Sequence, residues 1–476
     1  MESNKTPVTD ELVNALRSKL ESAEILTPAS PHYEDFLKRW SDAAVKRAGM
    51  VMLATTAEDI SKAVRFAQEN NIDVAVRGGG HSVAGASSSD GGLVIDLSRM
   101  RNVTVDPTTK RITAQGGALW VDVDIAAAGH KLATVGGTVN HTGIGGLTLG
   151  GGYGWLSAKY GLVIDNLISV KMVLADGRIV TTSATEEPDL FWAVRGAGHN
   201  FGVAVEFTYQ GYDQVNQVYA GSLIFTLEKL EAVIEALTAT LRDPDENSGA
   251  VCAISKLPNA DDINVIVIVF YNGTEDEGKK RFEGLMALYP EVLDAKMIPY
   301  SEVNTLMNAA AVHGGRRLFK GLFFSPSLRP EFARTVANIF SQKLKDEPDM
   351  DGSALILEYF DMRKTREVKL TDTAFANRGK TLNGVLSVRY ENPASDAKLR
   401  QWARDLQALF KQELDEAEKD LDTSKEGVPL YINYSEPGDT VVPNVYGINT
   451  ERLQKLKARY DPSCLFGKMN PIVPAK

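Results

Sequence analysis

The N-terminal half of the chain mixes two hydrophobic periods. Apolar residues about 3.6 positions apart predict helices through the first 44 residues, over 55–71 and over 120–128. Between them, short runs rich in β-branched residues predict strands such as IDVAV, GLVIDL and VKMVL, at 72–76, 92–97 and 170–174. The dipeptide Asp176-Gly177 predicts a hairpin turn after the third run. Up to about residue 212 we therefore expect short strands and turns with few helices.

The pattern changes near residue 212. From there to about 425, apolar runs that predict strands alternate with long amphipathic segments that predict helices. The strands are SLIFTL, INVIVIVFY, LILEYFDMR and GVLSVRY, and the helices are LEKLEAVIEALTATLRD, GKKRFEGLMALY, PEFARTVANIFSQKLK and DAKLRQWARDLQALFKQELDEAEKDL. This alternation predicts an α+β unit in which helices cover one face of an antiparallel sheet.

Composition and charge exclude several classes of protein. The 476 residues are 43% hydrophobic and 24% charged, which is typical of a globular chain of two or three units. The net charge is −10, and without a basic tract neither nucleic acid nor an anionic membrane is an expected partner. With a polar N-terminus and no run of 18 apolar residues, the sequence predicts an intracellular, cytoplasmic protein. The oligomeric state stays open.

Cysteine usage points away from a metal centre. The two cysteines, Cys252 and Cys464, are far apart, and the sequence has neither a CxxC motif nor a Cys/His cluster. No metal site is therefore predicted, and a disulfide is not indicated.

Glycine is concentrated in one stretch of the chain. Residues 77–161 hold 19 of the 40 glycines. The clusters are RGGGHS at 77–82, GIGGLTLGGGYG at 143–154 and RGAGHNFGV at 195–203. Such clusters let the backbone approach a ligand closely and present N–H groups to it. None of them matches GxGxxG, so the Rossmann fingerprint is absent.

Five motifs in fixed order carry a family resemblance. They are RGGGHS, GIGGLTLGGGYG, PDLFWAVRGAGHNFGV, YINYSEPGD and YGINTERLQKLKARYDPSCLFGKMNPI. From about residue 45 onward the chain resembles the berberine bridge enzyme-like family of FAD-linked oxidoreductases, within the vanillyl-alcohol-oxidase superfamily. The resemblance implies an α+β fold with a two-lobed, discontinuous PCMH-type FAD-binding domain at 45–212 and 430–476. It also implies a substrate domain at 213–429, built on an antiparallel sheet covered by helices, after an N-terminal helical segment at 1–44.

The resemblance implies FAD as the cofactor. Amide donors of the first glycine cluster would hold the pyrophosphate, because anions favour converging N–H groups. The residues expected to contact FAD are Arg77, Gly78, Gly79, Gly80, His81, Ser82, Gly85, Thr142, Gly143, Gly145, Gly146, Gly152, Gly154, Gly202, Val203, Asn433 and Asn470.

His81 carries the most specific prediction among these residues. In the family, the histidine of this motif is bonded to the 8α-methyl of the isoalloxazine, so a histidyl–FAD link is predicted at His81. Many members have a second link through a cysteine, and this chain has Val139 at that position. A single link is therefore expected, with a less oxidising flavin.

Candidate catalytic residues are Tyr431, Tyr434 and His141. If YINY were a strand, Tyr431 and Asn433 would share one face, and Tyr434 would point to the other. The resemblance places Tyr431 and Asn433 at the flavin or substrate, where a tyrosine can assist deprotonation. His141 is either a loop histidine or a group for proton transfer at the flavin. By the same resemblance, Thr142 occupies the position above the flavin that influences oxygen access.

Two departures from the family pattern leave the base unassigned. The namesake enzyme has a tyrosine where this chain has Val83. The strand that supplies a carboxylate base in that enzyme corresponds to 383–388, which contains no acid. Glu358 and Asp361 are nearby alternatives that the sequence cannot place in the pocket.

The expected activity is that of an FAD-dependent oxidase. Hydride would pass from a small-molecule alcohol, amine or carbohydrate-like substrate to FAD, and O2 would reoxidise the flavin to give H2O2. The alternatives are a flavin dehydrogenase, a redox-neutral flavin cyclase, or a non-catalytic flavin-binding protein.

Overall fold

The computed structural model describes residues 5–258, 260–417, 427–436 and 445–476. The strands are β1 (Glu24–Leu26), β2 (Met50–Leu53), β3 (Val74–Arg77), β4 (Leu93–Asp96), β5 (Val103–Asp106), β6 (Arg111–Gln115), β7 (Leu132–Ala133), β8 (Leu167–Leu174), β9 (Ile179–Ser183), β10 (Gly202–Gln210), β11 (Tyr212–Asp213), β12 (Val218–Thr226), β13 (Ser248–Lys256), β14 (Ile263–Tyr271), β15 (Val292–Ile298), β16 (Arg316–Phe324), β17 (Ala354–Phe360) and β18 (Leu382–Tyr390). The helices are α1 (Asp10–Arg17), α2 (Tyr33–Leu37), α3 (Ala57–Glu69), α4 (Trp120–Ala128), α5 (Ile144–Leu149), α6 (Ser157–Tyr160), α7 (Pro188–Ala197), α8 (Leu230–Arg242), α9 (Glu275–Arg281), α10 (Glu283–Met286), α11 (Tyr300–Val303), α12 (Pro330–Asp346), α13 (Arg363–Arg366), α14 (Asp396–Ala417) and α15 (Thr450–Tyr460).

The N-terminal half folds around two main sheets. The first has the order β1-β2-β4-β3, in which β4 runs parallel to β2 and β3. The second is antiparallel, with the order β5-β6-β10-β8-β9. The first two glycine clusters lie in the connections after β3 and between β7 and β8, and the third overlaps the end of α7.

A seven-stranded antiparallel sheet forms most of the middle of the chain. Its order is β15-β12-β14-β13-β17-β18-β16, while helix α8 packs against α12 and β17, and α14 packs against β16. Strand β17 is buried along its whole length. Successive side chains of a strand point to opposite faces of the sheet. Ile356 and Glu358 therefore lie on one face, and Leu355 and Leu357 lie on the other.

Several sequence predictions are confirmed. Helix α3 begins after Thr56, whose hydroxyl accepts a hydrogen bond from the amide of Asp59. Helix α4 has the predicted bounds, and the predicted hairpin joins β8 to β9. The middle of the chain has the predicted α+β character, with an antiparallel sheet and packed helices.

Two predictions need correction. Segment 1–44 contains, besides α1 and α2, strand β1, because Ile25 and Leu26 extend the first sheet by pairing with β2. The motif YINY is not a strand, because its main chain forms a 3₁₀ turn over Ile432–Tyr434, closed by a hydrogen bond from the amide of Tyr434 to the carbonyl of Tyr431. The alternation of faces predicted for this motif is therefore wrong.

A few predicted segments reach beyond the described residues. These are the start of segment 1–44, the last four positions of the helix predicted to end at 421, and the last three of YINYSEPGD. Within the described part of the chain, no helix combines the length and apolar character needed to cross a membrane.

Candidate active site

A cavity of about 320 Å³ lies between the glycine clusters and the seven-stranded sheet. It brings together residues far apart in the chain, from Trp40 to Met469. The predicted site residues that line it are Gly78, Gly79, Gly80, His81, Ser82, Thr142, Gly143, Gly145, Gly146, Gly202, Tyr431, Asn433 and Tyr434.

Other predicted site residues lie around this cavity and do not line it. They are Arg77, Gly85, His141, Gly152, Gly154, Val203 and Asn470. Arg77 pairs with buried Asp96 at 2.5 Å, and the amide of Asn470 donates to Ser435, which does line the cavity. Asn470 thus holds a residue of the lining in place.

Close backbone packing explains part of the glycine requirement. A Cβ on Gly79 would lie 2.4 Å from the amide nitrogen of Gly143, so the first two glycine clusters meet main chain to main chain. Gly146 is the opposite case, since a Cβ built there has no atom within 4 Å. Gly146 is itself among the residues that line the cavity.

The polar groups of the cavity fit a bound FAD. Ser87 Oγ and His199 Nδ1 are buried, line the cavity and have no hydrogen-bond partner among the described residues. Buried polar atoms normally have partners, so both call for a polar ligand. Among the described lining residues, Lys468 is the only lysine or arginine, and the anionic part of a dinucleotide would therefore rest mainly on main-chain N–H groups.

His81 stands among aromatic and basic side chains. Its ring stacks on Trp40 at 5.1 Å between centroids, with 12° between the planes, and its Nε2 lies 2.8 Å from Nδ1 of His141. Ring nitrogens of His81, His141 and His313 lie within 4.8 Å of one another, so the fold forms a histidine cluster that the spacing of the sequence does not show. Burial, followed by the neighbouring His141, His313 and Arg317, holds the pKa of His81 well below its usual value.

Glu358 supplies the carboxylate that the sequence could not place. It is the only acidic residue among the described residues that line the cavity. Its carboxylate accepts hydrogen bonds from the phenols of Tyr153 and of Tyr434, the latter at 3.0 Å. Burial raises its pKa to about 7, and these two hydrogen bonds oppose that shift. The arrangement can accept a proton near neutral pH.

Asp361, the other alternative, faces elsewhere. Its carboxylate is hydrogen bonded to the amide and the side chain of Arg363, and it is not among the residues that line the cavity. Asp361 follows Phe360, the last residue of β17, so it lies outside the strand that carries Glu358 to the cavity.

The 3₁₀ turn of YINY brings both of its tyrosines to the cavity. Asn433 Nδ2 donates to the phenol of Tyr431 at 2.8 Å and to the carbonyl of Leu147 at 3.0 Å. The ring of Tyr431 lies 4.7 Å from that of Tyr153 and 4.9 Å from that of Tyr434, measured between centroids. Asn433 thus fixes Tyr431, and Tyr431 packs against the two tyrosines that bond to Glu358.

Val139 and Val83 form an apolar wall of the cavity. Val83 is buried with Trp40 and Ala311, and Val139 packs against them. Neither Cys252 nor Cys464 lines the cavity, and both are free thiols.

Three residues of the site were missed by the sequence reasoning. Tyr153 lies inside the second glycine cluster, where an aromatic residue between glycines was an available signal. Trp40 and His313 carried no local signal, because only the tertiary structure brings them to His81.

Comparison with known proteins shows the family of this chain. The family model described as FAD binding domain matches residues 48–183, and the one described as berberine and berberine like matches 430–472. The FAD-linked oxidoreductase pgmH of Aspergillus terreus is 33% identical, over 98% of this chain and 96% of that protein. The (R)-6-hydroxynicotine oxidase of Paenarthrobacter nicotinovorans is 28% identical, over 93% of this chain and 95% of that protein.

The fold is shared with solved structures. The xylooligosaccharide oxidase of Myceliophthora thermophila superimposes with a TM-score of 0.81 at 24% identity, over 98% of this chain and 99% of that one. Fold, glycine loops, C-terminal motif and the identity to pgmH agree with one another. The chain therefore belongs to the berberine bridge enzyme-like family of FAD-linked oxidoreductases, and it is an enzyme with FAD as its cofactor.

Proposed function

We propose that this enzyme is an oxidase that dehydrogenates a small-molecule alcohol or amine, with Glu358 as the proton acceptor. The observation that carries the proposal is a buried carboxylate in the cavity wall, hydrogen bonded to two tyrosines and with its pKa raised to about 7. A group whose pKa lies near the working pH is well suited to general base catalysis.

We assign FAD to the side of the cavity formed by 45–212 and 430–476, and the substrate to the side formed by 213–429. The main chain of 78–82 and 143–146 would hold the cofactor, and His81 would carry a single covalent bond to it. When bound, FAD accepts a hydride from a substrate C–H bond and can pass the electrons to dioxygen. Val139 supports the single link, because a valine has no nucleophile for a second one.

Tyr434 connects the substrate to Glu358. A substrate hydroxyl or amine beside Tyr434 can give its proton to the phenol oxygen while the phenol proton moves to Oε1 of Glu358, 3.0 Å away. The tyrosine stays neutral, which suits a phenol whose pKa is raised well above its usual value by burial and by Glu358. Glu358 becomes a neutral carboxylic acid, the form that burial favours.

Tyr431 and Asn433 position this proton path. Burial raises the pKa of Tyr431, so it remains a protonated phenol at neutral pH. Held by Asn433, its ring keeps Tyr153 and Tyr434 at their distances from the carboxylate.

The substrate side of the cavity favours an apolar substrate body. Its lining residues between 307 and 387 are Met307, Ala310, Ala311, Phe319, Ile356, Glu358, Val385 and Ser387. A sugar ring would leave most of its hydroxyls without partners here, which is costly in a buried site. We therefore favour an alcohol or amine borne on an apolar ring or chain over a carbohydrate, although one relative with the same fold is named as a xylooligosaccharide oxidase.

Two measurements on the purified protein test the proposal. Acid precipitation should leave the yellow colour in the pellet, with the mass of one FAD on a peptide containing His81. Alkyl and aryl alcohols and amines should then bleach the flavin, with one H2O2 released per product. Product without peroxide, formed only with another acceptor, would indicate a dehydrogenase, and product without net consumption of any acceptor would indicate a cyclase.

A further inference from the structure

The histidine cluster links the predicted flavin-attachment residue to solvent. Nε2 of His81 lies 2.8 Å from Nδ1 of His141, and the rings of His141 and His313 are 4.7 Å apart between centroids. His81 lines the cavity, His141 is half-buried behind it, and His313 is exposed. The ring of His81 also lies 5.7 Å from that of His313, so all three rings are close to one another and His313 is the exposed member.

The surroundings of these imidazoles favour their neutral form. Trp40 stacks on the ring of His81, and the guanidinium of Arg317 lies 4.4 Å from the centre of the same indole. Arg317 is fully buried, and among the described residues its Nε and Nη1 have no hydrogen-bond partner. Burial is the largest cause that lowers the pKa of all three histidines, and the positive charge of Arg317 lowers it further, because one buried charge disfavours another nearby.

A neutral His81 is suited to forming a bond. An imidazolium has no lone pair to share, whereas a neutral imidazole has one nitrogen with a lone pair and one N–H. In the tautomer of His81 that carries its proton on Nε2, this N–H donates to Nδ1 of His141, and Nδ1 of His81 keeps the lone pair of a nucleophile. The N–H proton on Nε2 must leave when Nδ1 becomes substituted, and His141 is in contact with it.

We infer that His141 accepts the proton that His81 loses when it becomes bonded to the flavin, and that His313 passes this proton to solvent. The inference rests on the proposed covalent link at His81 and goes beyond it, because it assigns the machinery that makes the link. No contact of His141 or His313 with the substrate is required.

The step balances with dioxygen as the oxidant. Nδ1 of His81 forms a bond to the 8α carbon, one C–H bond of that methyl group breaks, and its hydrogen leaves as a proton. The Nε2 proton goes to His141, and the two electrons of the broken C–H bond remain on the ring system. Dioxygen takes up these two electrons and two protons and becomes H2O2, which leaves an oxidised, attached flavin.

The test follows attachment itself. Full-length protein produced under riboflavin limitation is incubated with FAD in air, and the flavin retained after acid precipitation is measured against time. Replacement of His141 (His141→Ala) should slow attachment about 100-fold, since a positioned base contributes about 10²- to 10⁴-fold. His313→Ala should slow it less, because solvent can reach His141 directly once that exposed ring is gone. The matched control is His130→Ala, an exposed histidine on another surface.

A purely structural role of His141 predicts a different result. Free imidazole added to His141→Ala should restore attachment to within a few-fold of the wild-type rate, because it can occupy the vacated space and accept the proton. Attachment at the wild-type rate in His141→Ala would overturn the inference, as would slow attachment that imidazole leaves unchanged while the melting temperature is normal. Retention of the link in His81→Ala would instead overturn the proposed attachment site. If attachment is lost in His81→Ala but unaffected in His141→Ala, the attachment site stands and only the proton transfer through His141 and His313 is overturned.

Discussion

The phenol of Tyr434 donates a 3.0 Å hydrogen bond to Oε1 of Glu358, 76 positions away in the chain. Tyr434 comes from the C-terminal motif and Glu358 from the seven-stranded sheet, so the proposed proton path exists only where these two parts of the molecule meet. The phenol of Tyr153, from the second glycine cluster, donates to the other carboxylate oxygen. Both oxygens of the buried carboxylate are therefore satisfied by the protein.

Replacing Glu358 with glutamine should abolish most of the activity. Glutamine has a similar shape but cannot accept a proton, so we expect kcat to fall by about 10²- to 10⁴-fold. Flavin content should be unchanged, which is checked by the visible spectrum. The matched control is Asp361→Asn on the same stretch of chain, which should keep nearly wild-type activity because Asp361 lies outside the cavity lining.

The same carboxylate should govern the pH profile. A base must be unprotonated, so kcat/KM should fall about tenfold for each pH unit below a midpoint near 7, as the pKa of Glu358 is raised to about 7. Stopped-flow reduction of the flavin at a series of pH values measures this directly. A profile that stays flat from pH 5 to 8 would argue against Glu358 as the base.

Tyr434→Phe should move that midpoint upward. The phenol stabilises the charged carboxylate by its hydrogen bond, so its loss raises the pKa of Glu358 further. We expect a lower rate at pH 7 that recovers partly at pH 9. Tyr390→Phe is a suitable control. Tyr390 ends strand β18, and its phenol donates to Asp396 at the start of helix α14. A lower rate with an unmoved midpoint would mean that Tyr434 acts without coupling to Glu358.

Gly146→Ala should reduce FAD content without unfolding the protein. Gly146 lines the cavity, and a Cβ at this position meets no protein atom within 4 Å, so we expect the added methyl group to crowd a bound ligand and not the fold. We expect a melting temperature of the flavin-free chain within a few degrees of wild type and a several-fold lower FAD occupancy. Gly284→Ala in helix α10 is the control, since its nearest atom is 3.8 Å away and it lies outside the cavity lining. Equal FAD content in both variants would place the cofactor elsewhere.

Asp124 should make folding stability depend on pH. It is buried in helix α4, accepts a 2.8 Å hydrogen bond from Asn304, and has a pKa raised by burial to about 7. Because the native state holds this proton up to about pH 7 while the unfolded chain releases it near 4, Asp124 destabilises the protein progressively as the pH rises between these values. The total is at most about 4 kcal/mol, from roughly 1.4 kcal/mol per pKa unit.

Asp124→Asn should remove this dependence. Urea unfolding at pH 5 and pH 8 should show a variant that gains stability relative to wild type at the higher pH. Glu358 contributes in the same direction in both proteins, so the difference between them isolates Asp124. The exposed Asp90→Asn serves as control and should follow the wild-type curve. If the free energy of unfolding of Asp124→Asn changes with pH just as that of wild type does, the carboxyl of Asp124 is not protonated in the native state.

Local patterns anticipated much of the secondary structure and of the cofactor side of the site. Helices α3 and α4 and the hairpin of β8 and β9 depend on contacts between near neighbours, which periodicity and turn residues reveal. The glycine loops could be predicted for the same reason. Gly79 and Gly143 belong to short glycine-rich motifs, which are not typical of an ordinary strand or helix.

The remaining features depended on tertiary contacts. YINY has the composition of a strand, but its hydrogen bonds close a 3₁₀ turn that presents Tyr431 and Tyr434 to one cavity. No periodicity shows that Glu358 faces this cavity, because every position of β17 is buried, whichever face of the sheet it occupies. Nor does the sequence show that the strand ends at Phe360, one residue before Asp361.

The amino-acid sequence alone was enough to establish the family, the FAD cofactor and the α+β character, since these depend on motifs and periods within short segments. The proposed base, the stack of Trp40 on His81 and the histidine cluster came only from the tertiary structure. Each joins side chains from separate segments, and the spacing between such segments along the chain places no constraint on their distance in space.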